Sequence, residues 1–254
     1  MIRAPFVFAL IVLLLLPILV FAQQARFDEA TEQLTAGEFR DALAIYESIS
    51  EEGFQSGALW LNMGVAYSHL DSLGKAKFYI LRAKQFPETK QLAEENLIYV
   101  EERLNRRSAV LPPLPWIRFF DFLNDTFGLR ALYLSGFLFL NLAAACWIGS
   151  WFHRRKEKVL HYTGLVSLAA AALFFVSAVF IQYSTDRYGT GVVVERQSPV
   201  YDRPDPEASS LSTAYEGYEL RVDHYTSNDA PGWLYVRMQN GIFGWIEEGS
   251  TLVF

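Results

Sequence analysis

The chain has 254 residues, of which 52% are hydrophobic, and its formal net charge at pH 7 is −6. The acidic total argues against nucleic acid as the main partner. A single cysteine, Cys146, excludes an internal disulfide and a cysteine-based metal site. The hydrophobic residues are concentrated in three segments, so the sequence predicts a protein with both membrane-type and soluble regions.

The first apolar segment, within residues 1–22, predicts a secretory signal. Arg3 supplies a positive charge ahead of it, and Val20-Phe21-Ala22 ends it with a small-residue pattern typical of signal-peptidase sites. We expect cleavage before Gln23, and an uncleaved membrane anchor is the alternative. The residue directly after the predicted cleavage site is Gln23 and not cysteine, so the pattern is not that of a lipoprotein.

Residues 23–107 are predicted to form an exported helical domain that contains an internal repeat. The stretch GALWLNMGVAYSHLDSLGKAKFYILRAKQFP begins at Gly57, and the related stretch GEFRDALAIYESI begins at Gly37. Ala42 and Ala76 occupy matching positions 34 residues apart. A period of this length indicates stacked helix pairs.

The second copy resembles a tetratricopeptide repeat. Its W-x2-L-G-x2-Y positions are occupied by Trp60, Met63, Gly64 and Tyr67, with small residues at Ala76 and Ala83 and a terminating Pro87. Asp71 stands where the first copy has Gly37 in the turn, and aspartate tolerates the left-handed conformation. A third helix, Gln91 to Leu104, is predicted as a cap or as the first half of a third repeat.

This resemblance implies a groove that binds peptide segments of protein partners. Alignment with the repeat places four residues in the groove, namely Leu61, Asn62, Val65 and Ser68. Asn62 has a second interpretation, because this position often serves the structure of the repeat itself.

Residues 108–128 are predicted to be a stiff spacer followed by an amphipathic helix. Three prolines in Ser108 to Trp116 favour an extended chain. Helical spacing then relates Trp116, Ile117, Phe120, Leu123 and Phe127. Two placements are open: the helix lies on the outer surface of the bilayer, or it packs under the helical domain.

Residues 129–152 and 159–183 each predict a transmembrane helix. Ala131–Trp151 contains no charged residue, and Val159–Tyr183 contains no ionisable group other than His161 and two tyrosines. Both are long enough to cross about 30 Å of hydrocarbon. The six residues between them, 153–158, make the pair a helical hairpin.

The short loop of the hairpin carries Arg154, Arg155, Lys156 and Lys158 against the single anion Glu157. Short loops rich in arginine and lysine remain cytoplasmic. This charge pattern and the predicted signal both place the two long flanks outside the cytoplasm. We therefore expect a two-pass protein of the bacterial inner membrane, with both terminal domains in the periplasm.

Residues 184–254 are predicted to be an all-β domain. Short β-rich runs alternate with turns, namely GVVVE, SPVYDRP, YELRVDHYT, GWLYVRM, NGIFGWIEE and STLVF, and Asn240-Gly241 is a hairpin signal. The segment resembles a bacterial SH3-like barrel in Pro199-Val200-Tyr201, Gly217, Gly232-Trp233 and NGIFGWI. We interpret Gly217 and Gly244 as positions of tight turns and close packing, and Trp245 as a core residue.

The SH3-like resemblance implies a face for cell-wall peptides or protein partners, with Tyr201, Trp233 and Tyr235 on it. Residues 186–248 contain 11 Asp and Glu, 5 Arg and no Lys. Peptidoglycan stems are also negative, so the charge weakens the expectation of wall binding without excluding it.

The sequence predicts no catalytic, cofactor-binding or metal-binding residues. The four histidines, His69, His153, His161 and His224, fall in four different segments, and we find no nucleophile elbow, HExxH or phosphate loop. We interpret Cys146 as a small apolar group within the first span.

Taken in order, the signal, two helical repeats, membrane hairpin and SH3-like barrel resemble the BatE-like family of Bat proteins, encoded in aerotolerance operons. The resemblance implies a multidomain, non-enzymatic scaffold in an envelope stress complex. The implied partners are membrane proteins with von Willebrand A domains and, indirectly, a MoxR-type ATPase. The alternative is a membrane sensor that binds peptidoglycan through the SH3-like domain.

Overall fold

A computed structural model describes residues 23–104, 106, 109–112 and 114–254. The predicted signal and its cleavage site lie outside these residues. The described chain divides into two compact units. One unit contains the described residues between 23 and 109 together with Thr190–Phe254, and the other contains those between Val110 and Gly189. The residues before and after the apolar helices therefore share one compact unit.

The helical region consists of five helices joined by short turns. They are α1 (residues 23–36 of the described chain), α2 (Phe39–Glu51), α3 (Gly57–His69), α4 (Leu73–Ala83) and α5 (Lys90–Arg103). The predicted turn residues are confirmed: Gly37 has φ +86° and Asp71 has φ +59°. These two left-handed turns lie 34 residues apart, as the repeat predicts.

Small residues set the crossing of α3 and α4. A Cβ atom on Gly64 would lie 2.6 Å from Cγ1 of Ile80, and Ala76 is fully buried. Trp60 fills the space beside this crossing, with its ring stacked 5.8 Å from that of Tyr79. Ser56 begins α3, because its side chain accepts a hydrogen bond of 3.1 Å from the Leu59 amide.

Two further helices form the second unit. They are α6 (Pro115–Phe152) and α7 (Glu157–Arg187), connected by a 3-10 turn, Arg154–Lys156. Both helices are long and apolar enough to cross a membrane. The connecting turn is exposed, and Tyr188 opens the first strand directly after α7.

The hairpin packs along one seam on each helix, with residues spaced alternately by three and four. Such spacing is typical of helices that pack at a shallow angle, and small residues allow close approach. A Cβ on Gly164 would lie 2.7 Å from Nε1 of Trp147, so contact is tight there. The seams are Leu132, Gly136, Phe139, Ala143, Cys146 and Ser150 on α6, and Gly164, Ser167, Ala171, Phe174, Ala178 and Ile181 on α7.

The amphipathic helix predicted before the first span is the initial part of α6. Gly128, with φ +72°, separates this part from the rest of the helix. The ring of Phe120 lies 4.3 Å from that of Phe180 of α7 at an interplanar angle of 34°, and Phe120 and Leu123 pack against the cluster of Leu132, Ala178 and Ile181. Trp116 and Phe127 are exposed. The apolar side chains therefore divide between contact with the hairpin and an exposed aromatic surface.

The β region is one antiparallel sheet with strand order β3-β2-β6-β5-β4-β1-β7. The strands are β1 (Tyr188–Val193), β2 (Gln197–Tyr201), β3 (Ser210–Tyr215), β4 (Glu219–Asp223), β5 (Trp233–Met238), β6 (Phe243–Glu247) and β7 (Thr251–Val253). Asn240-Gly241 forms the predicted hairpin turn: Gly241 has φ +89°, and the Asn240 side chain accepts from the Ile242 amide. A short helix, α8 (His224–Ser227), follows β4 where the sequence predicts a continuing strand.

The helical region and the β region are joined along α4. The Gly74 amide donates a 2.8 Å hydrogen bond to the Glu216 carboxylate, which satisfies an otherwise unpaired N–H in the first turn of α4. Lys77 pairs with Glu219 at 2.8 Å and with Glu101 of α5 at 3.0 Å. The joint therefore combines hydrogen bonding and charge.

Apolar and aromatic contacts extend the same joint. The ring of Phe78 lies edge-on to that of Phe254 at 5.3 Å. A Cβ on Gly217 would lie 2.4 Å from Cδ1 of Leu104, and Gly217 has φ +79°. The tight turn predicted at Gly217 is confirmed. Leu104, which directly follows α5, packs against this turn.

Candidate functional site

The four predicted groove residues lie on α3 with different exposures. Leu61 and Ser68 are buried, whereas Asn62 and Val65 are half-buried. Ser68 is covered on its backbone side by Arg103, whose guanidinium donates to the Ser68 carbonyl at 2.8 Å and pairs with Asp71 at 3.0 Å. Asn62 and Val65 are therefore the members of this set that a partner reaches first.

Asn62 has a structural bond within the helical region. Its amide donates to the Tyr46 hydroxyl at 3.0 Å, and that hydroxyl also lies 3.0 Å from the Thr31 hydroxyl. Burial raises the pKa of Tyr46, while these two hydrogen bonds act in the opposite direction. The Asn62 side chain thus ties α3 to α2 and α1, as its second interpretation proposes.

A layer of stacked rings lies between α3 and α4. Tyr67 and Tyr79 stack at 5.3 Å with an interplanar angle of 1°, and the Arg82 guanidinium lies 3.8 Å above the Trp60 ring. The Tyr67 hydroxyl donates to Glu47. Burial and the bond to this carboxylate raise the pKa of Tyr67, and burial followed by the Glu47 charge raises that of Tyr79.

These tyrosines predict a loss of stability at high pH. Their pKa in the folded protein lies above the unfolded value of about 10, so the unfolded chain releases protons first as the pH rises. We expect the urea midpoint of the intact protein to fall above about pH 10. Urea titrations between pH 8 and 11 measure it, and Tyr67→Phe should flatten the decline.

Tyr225→Phe is the matched control, because this ring is largely exposed on α8. It should leave the pH dependence unchanged. An equal decline in wild type and Tyr67→Phe would contradict the assignment of the alkaline effect to the stacked layer.

The residues predicted on the SH3-like face lie together on the outer side of the sheet. Tyr201, Trp233 and Tyr235 are all half-buried, and the ring of Tyr201 meets that of Trp233 edge-on at 5.6 Å. Along β5, buried Leu234, Val236 and Met238 alternate with them on the opposite side. The structure therefore brings the three predicted residues onto one surface.

Trp245 belongs to this surface and not to the core, which corrects the sequence interpretation. It pairs with Tyr235 across β5 and β6, with ring centroids 5.2 Å apart, and also with Tyr201 of β2. The reason is the packing of the neighbouring residues of β6: a Cβ on Gly244 would lie 2.6 Å from Cγ1 of fully buried Val200, and Ile246 is itself fully buried. Gly244 must therefore face inward, and Trp245 must face outward.

Phe243 completes this surface and was missed from the sequence. It is 50% exposed, it stacks 6.4 Å from Tyr235, and the Arg237 guanidinium lies 5.3 Å above its ring. Period-two alternation along β6 puts Phe243 on the same side as Trp245, so it would have been found only if Trp245 had been assigned to the surface. We define the aromatic face as Tyr201, Trp233, Tyr235, Phe243 and Trp245.

Charged groups of both signs lie beside the aromatic face. Glu247 pairs in register with Trp233, and Asp202 follows Tyr201, and both are exposed. At the Phe243 side, Arg237 lies over the ring and pairs in register with Arg221 of β4. Stacking rings bordered by carboxylates suit an apolar ligand that also carries positive charge.

A second apolar surface lies on α5. Leu92, Ile98 and Tyr99 are exposed there, while Ala93 and Val100 are fully buried. In the described residues, no group of three or more histidine, cysteine, aspartate or glutamate side chains is arranged to hold a metal ion. The aromatic face and the apolar surface of α5 both offer contact area to a partner, and the aromatic face also offers rings for stacking.

No protein-family profile and no curated protein matches this chain.

Proposed function

We propose that the protein is a non-enzymatic membrane scaffold that binds protein partners through the aromatic face. The observation that carries the proposal is the face itself, with five aromatic side chains on the outer side of three adjacent strands. Aromatic side chains dominate the energetics of protein interfaces, and they usually require a reason to remain at a surface.

The two soluble regions are proposed to be tetratricopeptide-type repeats and an SH3-like barrel. The left-handed turns 34 residues apart and the small residues at the α3–α4 crossing support the first assignment. The antiparallel sheet, in which β4, β5 and β6 are consecutive neighbours and a tight hairpin joins β5 to β6, supports the SH3-like assignment. Asn62 and Val65 would then contribute to a second partner contact.

A two-pass topology with both soluble regions on one side of the membrane is supported by the compact unit. The chain leaves this unit after Ala109 and re-enters it at Thr190, and two apolar helices lie between. Two crossings return the chain to its starting side. The exposed cations of Arg154–Lys156 favour a cytoplasmic loop, and we propose accordingly that the soluble regions lie in the periplasm, on a two-pass protein of the inner membrane.

The partners implied by the Bat resemblance are membrane proteins with von Willebrand A domains, and through them a MoxR-type ATPase. The role would be in envelope stress tolerance. The acidic composition of the C-terminal region, with 11 Asp and Glu against 5 Arg in residues 186–248, favours a protein segment with basic residues over the anionic cell wall, because like charges repel at short range. A wall-binding sensor is the competing function.

Crosslinking in cells, followed by capture of the intact protein from membranes, tests the proposal. We expect captured von Willebrand A membrane proteins to be lost from Trp245→Ala and Tyr235→Ala. Aromatic residues at interface centres contribute 2 kcal/mol or more, so affinity should fall by roughly thirtyfold or more. Phe54→Ala is the control, because Phe54 is an exposed aromatic residue of the helical region.

Sedimentation with purified peptidoglycan tests the competing wall-binding function. If the intact protein sediments with peptidoglycan, Trp245→Ala abolishes this binding, and protein capture is unchanged, the aromatic face is a wall-binding site and the scaffold proposal is wrong.

A further inference from the structure

A second seam runs along α6 on the side opposite α7. Each of its members follows a residue of the α7-facing seam by two positions, which is about 200° around a helix. Its spacing again alternates between three and four residues, and every member is exposed. The members are Leu134, Leu138, Asn141, Ala145, Ile148 and Phe152.

Asn141 is the polar member of this seam, and contact with lipid does not explain a polar side chain there. It lies at the centre of the uncharged stretch Ala131–Trp151, so the proposed hairpin places it at mid-membrane. Its Nδ2 donates to the Phe137 carbonyl at 2.7 Å, and within the described part of the chain its Oδ1 has no partner. A carboxamide oxygen facing hydrocarbon is unfavourable unless another donor reaches it.

We propose that this seam binds a second copy of the chain, with the two Asn141 side chains paired across a two-fold axis. A carboxamide is both donor and acceptor, so two identical groups satisfy each other. Two-fold symmetry about the membrane normal places both at the same depth. A single asparagine in an apolar heptad seam also fixes register and helix number.

Ala145 supplies the close approach that such a pair requires. It stands one turn after Asn141 on the same seam, and small residues let transmembrane helices come near enough for side-chain hydrogen bonds. A helix from a different protein would serve only if it carried a polar group at the same depth. The identical helix meets that condition by construction.

Cysteine crosslinking of the intact protein in membranes tests this contact. Ala145→Cys in a Cys146→Ala background should give a disulfide-linked dimer on mild oxidation. The native Cys146 is the control: it is adjacent in sequence but buried in the seam that faces α7, and it should give none. Absence of the Ala145→Cys dimer, or an equal yield from Cys146, would overturn the proposal.

The asparagine pair is tested by Asn141→Leu, which keeps an apolar side chain and removes the amide. Förster transfer between labelled copies in lipid vesicles should report dimerisation that is about three- to thirtyfold weaker. Thr163→Val, which removes an exposed polar group from α7, should leave it unchanged. Unaltered dimerisation of Asn141→Leu, or a crosslink at Ala145→Cys only to a different protein, would contradict pairing between copies.

This inference rests on the membrane position of the hairpin in the proposed function. Alkaline extraction of membranes distinguishes a failure of this inference from a failure of the proposed membrane position. Protein released by alkali overturns both, whereas protein that stays in the membrane and gives no dimer overturns the pairing alone.

Discussion

Replacing Gly74 by alanine is expected to loosen the β region from α4 and to lower the free energy of unfolding by about 1–3 kcal/mol. A Cβ at this position would lie 2.5 Å from the Val193 carbonyl oxygen and 2.9 Å from Cα of Val194. Both are backbone atoms, so no side-chain rotation relieves the overlap. The 2.8 Å bond from the Gly74 amide to Glu216 would be strained as well.

Helix propensity acts in the opposite direction but is smaller. Alanine is more favourable than glycine in a helix by up to about 1 kcal/mol, and Gly74 lies in the first turn of α4. The steric term should therefore decide the sign. Urea unfolding of the intact protein measures the stability, and limited proteolysis should show earlier cleavage between the two regions.

Gly249→Ala is the matched control, because a Cβ at Gly249 meets no atom within 4 Å. Its stability should be within about 0.5 kcal/mol of wild type. Unchanged stability of Gly74→Ala, or an equal loss in both variants, would show that the contact between α4 and the β region is not tight at this point.

The helices of the first region were predictable because their signals are local. Turn positions in the left-handed conformation, Gly37 and Asp71, mark the breaks between helices, and Pro87 follows the end of α4. The α3 helix begins at Gly57 and α5 ends at Arg103, close to the predicted limits. Each signal acts on the residue that carries it, so no distant contact was needed.

Strand β3 and helix α8 were missed because their sequences lack such a signal. Ser210–Tyr215 contains two serines and a threonine, and no apolar alternation separates its two sides. It forms a strand because β2 supplies its hydrogen-bond partners, in the register Ser198↔Ala214. Asp223 caps α8 through its side chain, where β-rich neighbours had favoured a continuing strand.

The orientation of Trp245 and the joint at α4 both depend on residues far apart in sequence. Alternation along β6 permits either phase, and packing against the buried side chain of Val200, 44 residues earlier than Gly244, selects one. Glu216 reaches Gly74 across 142 residues. Sequence periodicity contains no information on such pairings, so the aromatic face was predicted with three of its five members.

Replacing Lys77 by methionine is expected to destabilise the intact protein by about 1–3 kcal/mol. The Lys77 side chain is 8% exposed, and its ammonium lies between Glu219 of the β region at 2.8 Å and Glu101 at 3.0 Å. Methionine retains the apolar stem and removes the charge. Removing one partner of a fully buried ion pair costs about 3–5 kcal/mol, and the value here is lower because the two carboxylates are 28% and 43% exposed.

Lys84→Met is the comparison that separates the effect of burying a charge from the effect of losing one. Lys84 lies near the end of the same helix and pairs with Glu94 at 3.2 Å, but both side chains are well exposed, at 39% and 47%. Exposed pairs contribute about 0–1 kcal/mol, so this variant should change the urea midpoint little. Because salt screens exposed pairs more than buried ones, 1 M NaCl should reduce the Lys84 effect and leave most of the Lys77 effect. Equal losses in the two variants would mean that Lys77 acts as an ordinary surface cation, and the joint between the helical and β regions would then depend on the packing at Gly74, Phe78 and Leu104.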